Sequence, residues 1–279
     1  MTRAASRNTT PPRAASPQLP DDRQFVTALA RGLDVLRCFG NGARELSPAE
    51  IAALTGLPQP TTWRLCRTLT ELGYLTRIKG SETLRAGLAV LPLGQAVLAE
   101  LPVLKTLAPG LRKLEQTFDG AISVAGRDGF DMIFLERLQG SAFVTDERVG
   151  TRVPVARSSL GWAHLAGLDD DARAALIAAL ERADPQTWRA VRAPFADALA
   201  LYRKHGYVVS TGMLHPQINA AAVPLTLPEG EVLALSCGGL ASHFTQERLK
   251  QAGNALAALA RTVSKAQARS ADARTGRPR

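Results

Sequence analysis

The residues best equipped for chemistry lie between Leu57 and Leu72: Gln59, Pro60, Thr61, Thr62, Trp63, Arg64 and Arg67. At about 100° per residue, Gln59, Pro60, Trp63, Arg64 and Arg67 fall on one side of a helix, with Leu65, Leu69 and Leu72 as an apolar stripe on the other. Guanidinium groups fork onto guanine edges or phosphates, amides pair with adenine, and hydroxyls serve either purpose. The chemistry on offer is recognition of nucleic acid. Bond-breaking chemistry finds no comparable cluster. There is no GxSxG, GxGxxG, P-loop or HExxH motif, and His164, His205, His215 and His243 lack metal-ligand spacing. Asp169-Asp170-Asp171 begins a helix, where an acidic residue is a cap, and Cys237 sits in a strand-like apolar run, where a small buried residue is the default. No catalytic residue, metal or cofactor is expected.

Such a helix reads DNA only if the chain stands it away from the protein body. Val26, Leu29, Leu33 and Leu36 have helical spacing, and Gly40-Asn41-Gly42 stops that helix. Ser47-Pro48-Ala49-Glu50 then opens a second one, with a cap, a first-turn proline and the glutamate of a capping box. Gly56 ends it, and a tight turn leads into the helix carrying Arg64, which Gly73 closes. Residues 74–78 and 82–86 read as two short strands joined by Lys79-Gly80-Ser81. Short helix, sharp turn, second helix and basic hairpin make a winged helix-turn-helix. Ser47 has two readings, since a capped helix N-terminus can also face a phosphate. The competing account is an ordinary three-helix unit with a solvated basic face. Trp63 argues against it, because a tryptophan opposite the apolar stripe needs a partner.

The totals agree. The 279 residues carry a formal charge of +9 and are 46% hydrophobic, enough for two cored domains and a polyanionic partner. Cys38, Cys66 and Cys237 are too scattered for a disulfide framework or a metal site, which suits a cytoplasmic setting. Arg3, Arg7 and Arg13 precede no apolar core, so no signal peptide is expected, and no run is long enough to span a bilayer. Residues 1–22 read as a disordered tail, 23–86 as the winged helix-turn-helix, 87–101 as an apolar linker helix with Pro92 inside it, 102–265 as a second domain, and 266–279 as a basic disordered tail. In the second domain, 121–125, 131–135, 208–211, 220–227 and 232–236 look like strands, and 111–118, 170–182, 195–205 and 245–263 look helical. Mixed strands covered by helices suit a ligand-sized cavity.

From residue 25 to about residue 265 the chain resembles the isocitrate lyase regulator (IclR) family of bacterial transcription factors. The resemblance is carried by Ala30-Arg31-Gly32-Leu33-Asp34-Val35-Leu36, by the run from Ser47 through Leu65, and by Leu84-Arg85-Ala86-Gly87 with Val90-Leu91-Pro92-Leu93-Gly94. Further on it rests on Gly150-Thr151-Arg152-Val153-Pro154-Val155, on Leu160-Gly161-Trp162-Ala163-His164-Leu165-Ala166, on Gly206-Tyr207-Val208-Val209 and on Ala234-Leu235-Ser236-Cys237-Gly238-Gly239. It implies an α+β chain with an N-terminal winged helix-turn-helix, a linker helix and a C-terminal GAF-like effector-binding domain. It also implies homodimers or homotetramers on double-stranded DNA with a palindromic operator. By position, Arg31, Ser47, Gln59, Thr61, Trp63 and Arg64 would contact DNA, and Thr62, Arg67 and Lys79 complete the candidate face. Pro60 departs from the family's usual small hydroxylated residue and removes one donor.

By the same resemblance the effector pocket would be lined by Ala142, Thr145, Val153, Ser159, Leu160, Ser210, Ile218, Ala220, Ser236 and Gly238. Acidic residues usual after the Gly-Tyr pair are replaced by Ser210 and Thr211, and Trp162 stands where lysine is usual. Arg157, just before Ser158-Ser159, is placed to pair with an anion in bidentate fashion; the alternative is a solvent-facing loop arginine. His215 is either a ligand contact or a loop histidine before Pro216. A pocket with little acidic character suits an anionic or uncharged effector. The expected function is transcription regulation under a small organic or aromatic acid, controlling a nearby catabolic operon. The alternative is a constitutive DNA-binding protein whose C-terminal domain only oligomerises.

Overall fold

The structure, a computed structural model, describes residues 24–41, 45–141 and 144–275; the tail expected at 1–22 and the candidate Ala142 lie outside them. The N-terminal unit comprises α1 (Thr27–Arg37), α2 (Pro48–Thr55), α3 (Gln59–Glu71) and the strand pair β1 (Leu75–Arg77) and β2 (Leu84–Ala86). Local chemistry sets its corners. The Ser47 hydroxyl accepts from the Glu50 N–H while the Glu50 carboxylate accepts from the Ser47 N–H at 2.7 Å, and these bonds hold the Glu50 carboxyl below its usual range. Gly56 takes a left-handed φ of 70°, which lets α2 turn into α3 within a few residues. β1 and β2 pair antiparallel, and Leu46 bridges to Leu84 beside them.

Val35, Leu46, Ile51, Cys66, Leu75 and Leu84 form the small core of this unit. The face of α3 that meets it differs from the leucine stripe expected. Thr62 and Cys66 are fully buried, Leu65 and Leu69 are half-buried, and Leu72 is 61% exposed. Both α1 and α2 pack on α3, and the arc they share is centred on small residues that let the helices approach. The Thr62 hydroxyl bonds the Pro58 carbonyl at 3.3 Å, which makes its burial tolerable.

The linker also departs from one continuous helix. A 3-10 turn at Leu88–Val90 leads into α4 (Leu91–Ala99), which meets α5 (Val103–Phe118) at an 88° bend. Pro92 therefore lies in the first turn of α4, where its missing N–H costs nothing. Gly87 has no room for a side chain, since a Cβ there would sit 2.0 Å from the Gly73 carbonyl oxygen.

The C-terminal domain is a six-stranded antiparallel sheet in the order β5-β4-β3-β8-β7-β6. Its strands are β3 (Ala121–Asp128), β4 (Asp131–Gln139), β5 (Arg152–Pro154), β6 (Val208–Thr211), β7 (Ile218–Thr226) and β8 (Val232–Leu240). One face packs Ile122, Val124, Val223, Leu233, Leu235 and Cys237 against α5 and α9 (Gln246–Thr275). The other lies under α6 (Ser159–Gly167), which is backed by α7 (Asp170–Ala183) and α8 (Pro185–His205). The α+β expectation holds. Of the expected tail at 266–279, residues up to Thr275 continue α9, because the alanines, Gln267, Arg269 and Arg274 are strong helix formers and the first breaker in the sequence is Gly276. Among the described residues no single helix is long and apolar enough to cross a membrane. The three cysteines are free, and burial pushes the thiols of Cys66 and Cys237 up to about 11 and about 12. Both are core residues, Cys66 on α3 and Cys237 on β8.

Candidate nucleic-acid interface and effector site

On α3, Gln59, Pro60, Arg64 and Arg67 are exposed and Trp63 is 48% exposed, so these side chains share one outward face. The Arg67 guanidinium lies over the Trp63 ring, 5.8 Å from its centroid, which supplies the partner this tryptophan needs within the chain. A groove of about 280 Å³ runs between α3 and the wing, lined by Trp63, Cys66, Arg67, Thr70, Arg77 and Leu84 among others. Lys79 stands exposed at the wing turn, where Gly80 has a φ of 76°, and Arg31 is exposed on α1. Among the described residues none of Arg31, Arg64, Arg67 and Lys79 is ion-paired with a carboxylate. Cations held out without counter-charges suit a phosphate backbone.

In the sheet, pairing sets a row across four strands: Arg137 on β4 faces Ser123 on β3, which faces Ser236 on β8, which faces Ala222 on β7. The neighbouring row runs Gln139, Ala121, Gly238, Ala220 and Ser210. Both rows lie on the α6 side, because the alternate residues Ile122, Val124, Leu235 and Cys237 face α5 and α9. The result is a floor of small side chains with one guanidinium at its edge. The Arg137 side chain is only 6% exposed. Its Nη1 donates to the Ser123 hydroxyl at 2.8 Å; its Nη2 donates to the Thr145 hydroxyl at 3.0 Å and the Glu147 carboxylate at 2.6 Å. Burial pulls its pKa down and Glu147 pulls the other way. Above the floor, Ser158 caps α6 by accepting from the Gly161 N–H at 3.0 Å, and the Trp162 indole N–H donates to the Ala156 carbonyl at 2.8 Å.

The family of IclR helix-turn-helix domains matches residues 28–78, and that of bacterial transcriptional regulator IclR C-terminal domains matches residues 95–265. This chain belongs to the IclR family. It is 32% identical to the Pca regulon regulatory protein of Pseudomonas putida over 265 residues, covering 89% of this chain and 88% of that one. It is 31% identical to the HTH-type transcriptional regulator TsaQ1/TsaQ2 of Comamonas testosteroni over 202 residues, 71% of this chain and 72% of the relative. Among solved structures, an IclR family transcriptional regulator from Brucella abortus superposes with a TM-score of 0.77 at 36% identity, covering 88% of this chain and 94% of that one. The IclR-family chain is thus a transcriptional regulator with a helix-turn-helix DNA-binding unit, and it is not an enzyme.

Several candidate residues have other duties in this IclR-family fold. Thr62 leaves the DNA-facing set, because it is fully buried with its hydroxyl and N–H both bonded to Pro58. Ser47 is a cap: its hydroxyl donates to the Glu50 carboxylate at 2.7 Å. Thr61 is half-buried at the start of α3. In the effector set, Ser210, Ala220, Ser236 and Gly238 share the floor, Ile218 lies half-buried two residues along β7, and Thr145 joins through Arg137. Ser159 and Leu160 begin α6, and Val153 packs with the buried cluster around Trp162. Arg157 spends its Nε–H on the Met213 carbonyl at 3.0 Å, so it braces two loops. His215 is exposed and accepts from the Gln217 N–H at 3.3 Å, a loop contact. Neither motif nor resemblance points to Ser123, Arg137, Gln139 or Glu147. The sequence pattern ends this strand at Leu135, whereas β4 runs to Gln139 and carries Arg137 onto the floor.

His164, on the sheet side of α6, gives the domain a pH dependence. Its Nδ1–H donates to the Val232 carbonyl at 2.9 Å, and its Nε2 accepts from the Arg127 Nε–H at 3.1 Å. Burial, with Arg127 adding to it and the Val232 bond opposing, holds its pKa below the ordinary 6.5. A histidine held neutral stabilises the fold fully above the unfolded value and loses that contribution as pH falls toward and through the folded one. Denaturant midpoints are expected to drop between pH 7 and pH 5.5, and less so in His164→Gln. Equal drops in both proteins would assign the dependence to other groups.

Proposed function

We propose that this regulator binds a roughly palindromic operator through α3 and its wing, and that a small organic or aromatic acid on the α6 side of the sheet changes that affinity. The reading takes 23–86 as the DNA-binding unit, 87–101 as the linker and 102–265 as the effector-binding domain. The observation that carries it is the pairing of two chemistries in one chain. Among the described residues Arg64 and Arg67 stand exposed on α3 without carboxylate partners, and a buried arginine sits beside Ser123 and Ser236 on the sheet. Val26 just before α1, Leu29 and Leu33 on it, and Leu88, Leu91, Leu93 and Val97 of the linker are left exposed. Apolar surface of that extent is normally covered, which supports a homodimer or homotetramer; the cytoplasmic setting rests on likeness to bacterial DNA-binding regulators. The Pseudomonas putida relative is named for the regulon it regulates. By analogy, this chain controls a catabolic operon near its own gene.

The test is a gel shift on the DNA flanking that gene, with and without small aromatic and aliphatic acids. A specific complex that one acid strengthens or weakens, by the 5–150-fold usual for allosteric coupling, is the expected result. A specific complex that no acid alters would favour the second reading, a constitutive DNA-binding protein whose C-terminal domain only oligomerises. In the same assay Arg64→Ala is expected to cost about 1–3 kcal/mol and to relax preference at one base pair. Full affinity from a folded Arg64→Ala protein would remove that residue from the interface.

A further inference from the structure

The contact between Arg137 and Glu147 is half-made. The side-on edge of a guanidinium offers Nε–H and Nη2–H as a parallel fork that fits both oxygens of a carboxylate. Glu147 takes only Nη2, and it shares that group with Thr145. Among the described residues the buried Nε of Arg137 has no hydrogen-bond partner. A buried polar group left without a partner is costly, so the present pairing is not the best one this arginine can make. Phe134 lies against the guanidinium, 4.7 Å from ring centroid to Cζ, and Ser123 holds Nη1, so the arginine itself is fixed.

The segment that supplies Glu147 is fixed far less firmly. Its ties to β4 are polar: Gln139 donates to the Thr145 and Glu147 carbonyls at 3.2 and 3.0 Å and accepts from the Thr145 N–H at 2.7 Å, Arg137 holds the two side chains, and one backbone bond, from the Gly150 N–H to the Phe134 carbonyl at 2.8 Å, closes the C-terminal end. Its apolar residues contribute little, since Val144 is 77% exposed and Val149 is exposed as well. Few buried apolar contacts mark a region that opens at low cost.

We propose that Glu147 is a built-in stand-in for the effector's carboxylate: a ligand carboxylate takes the Nε and Nη2 fork of Arg137, displaces Glu147, and releases residues 144–150 from β4. The inference rests on the acid-sensing reading above and gives it a binding residue and a switch. Ser123 and Ser236, the next side chains along the row, are placed to meet a second polar group on the same ligand. Neutral analogues cannot compete for a guanidinium already holding a carboxylate, so the site selects acids.

The experiment titrates full-length protein with benzoate and with succinate, and with benzamide and succinamide as uncharged counterparts, and follows hydrogen exchange in residues 144–150. If the latch is closed about 90% of the time, Glu147→Gln should bind the better acid about tenfold more tightly, since apparent affinity scales with the competent fraction. Residues 144–150 of ligand-free Glu147→Gln should exchange as fast as those of the acid-saturated parent. Arg137→Lys keeps the charge and the Glu147 pair but lacks the fork, and should bind the acid at least tenfold more weakly; a thermal melt confirms that it is folded. Acid binding that Glu147→Gln leaves within twofold overturns the stand-in while leaving the acid sensor intact; equal binding of acid and amide overturns the stand-in and the preference for acids, leaving a small-molecule sensor. Failure of both acids to bind any of the proteins overturns the sensor reading and the stand-in together.

Discussion

A rise in salt from 50 to 200 mM is expected to weaken specific DNA binding about 10⁴-fold. Each phosphate neutralised by a lysine or arginine releases condensed counterions, and log K falls against log salt with a slope of about −0.9 per contact. Arg31, Arg67, Arg77 and Lys79 are exposed on the unit that carries α3. Two such units on one operator make about eight contacts and a slope near −7. Because Arg67 is also stacked on Trp63, its loss should do two things. Arg67→Ala should make the slope shallower by about 0.9 per unit, and it should free the indole, whose fluorescence then responds to DNA. Arg64→Ala should instead keep the slope and lose discrimination, as a base contact does. A wild-type slope shallower than about −2 would mean that few of these cations reach phosphates, and the interface would have to be redrawn.

What could be read in the sequence follows the range of the forces involved. The corners of the winged unit come from local chemistry: the Ser47–Glu50 capping box, the left-handed Gly56 and Gly73, and Gly80 in the wing turn. The buried arc of α3 is not local. Which of Thr62, Leu65, Cys66, Leu69 and Leu72 is covered depends on where α1 and α2 come to rest, and hydrophobicity alone points to the leucines. The outward leucines of α1 and α4 show the same limit, since periodicity reports an apolar face without saying what covers it. In the second domain the floor positions Ser210, Ala220, Ser236 and Gly238 were reached through resemblance, and strand pairing does place them in adjacent rows. Arg137 was not reached. It follows Glu136 at the end of an apolar run, so it reads as the exit of a strand, and a register shift at Val124/Ala125 moves its cross-strand partner. The role of Arg157 was equally hidden, because the carbonyl it bonds belongs to Met213, 56 residues away.

Trp162→Ala is expected to destabilise the C-terminal domain by about 3–5 kcal/mol, a large share of the 5–15 kcal/mol typical of a folded domain. The side chain is fully buried, meets Phe195 edge-on at 6.0 Å, and through Phe195 reaches Trp188 at 5.8 Å. A cavity among three aromatic rings on two helices closes poorly, because α6 is also pinned at Gly161, where a Cβ would meet the Val155 carbonyl oxygen at 2.1 Å. The indole has a second duty. Its N–H satisfies the Ala156 carbonyl and so shapes the turn that delivers Ser158 and Ser159 to the start of α6. Trp162→Phe separates the two, keeping most of the packing and losing the hydrogen bond, and should cost nearer 1–3 kcal/mol. Urea denaturation of the two variants gives the comparison. Where the resemblance leads one to expect a lysine, this chain places an aromatic that ties the roof of the site to α8. Trp162→Phe should accordingly bind acids more weakly than its stability loss alone requires, because Ser159 is no longer held. If both variants lose less than about 1 kcal/mol, the aromatic cluster is not what holds α6 over the sheet.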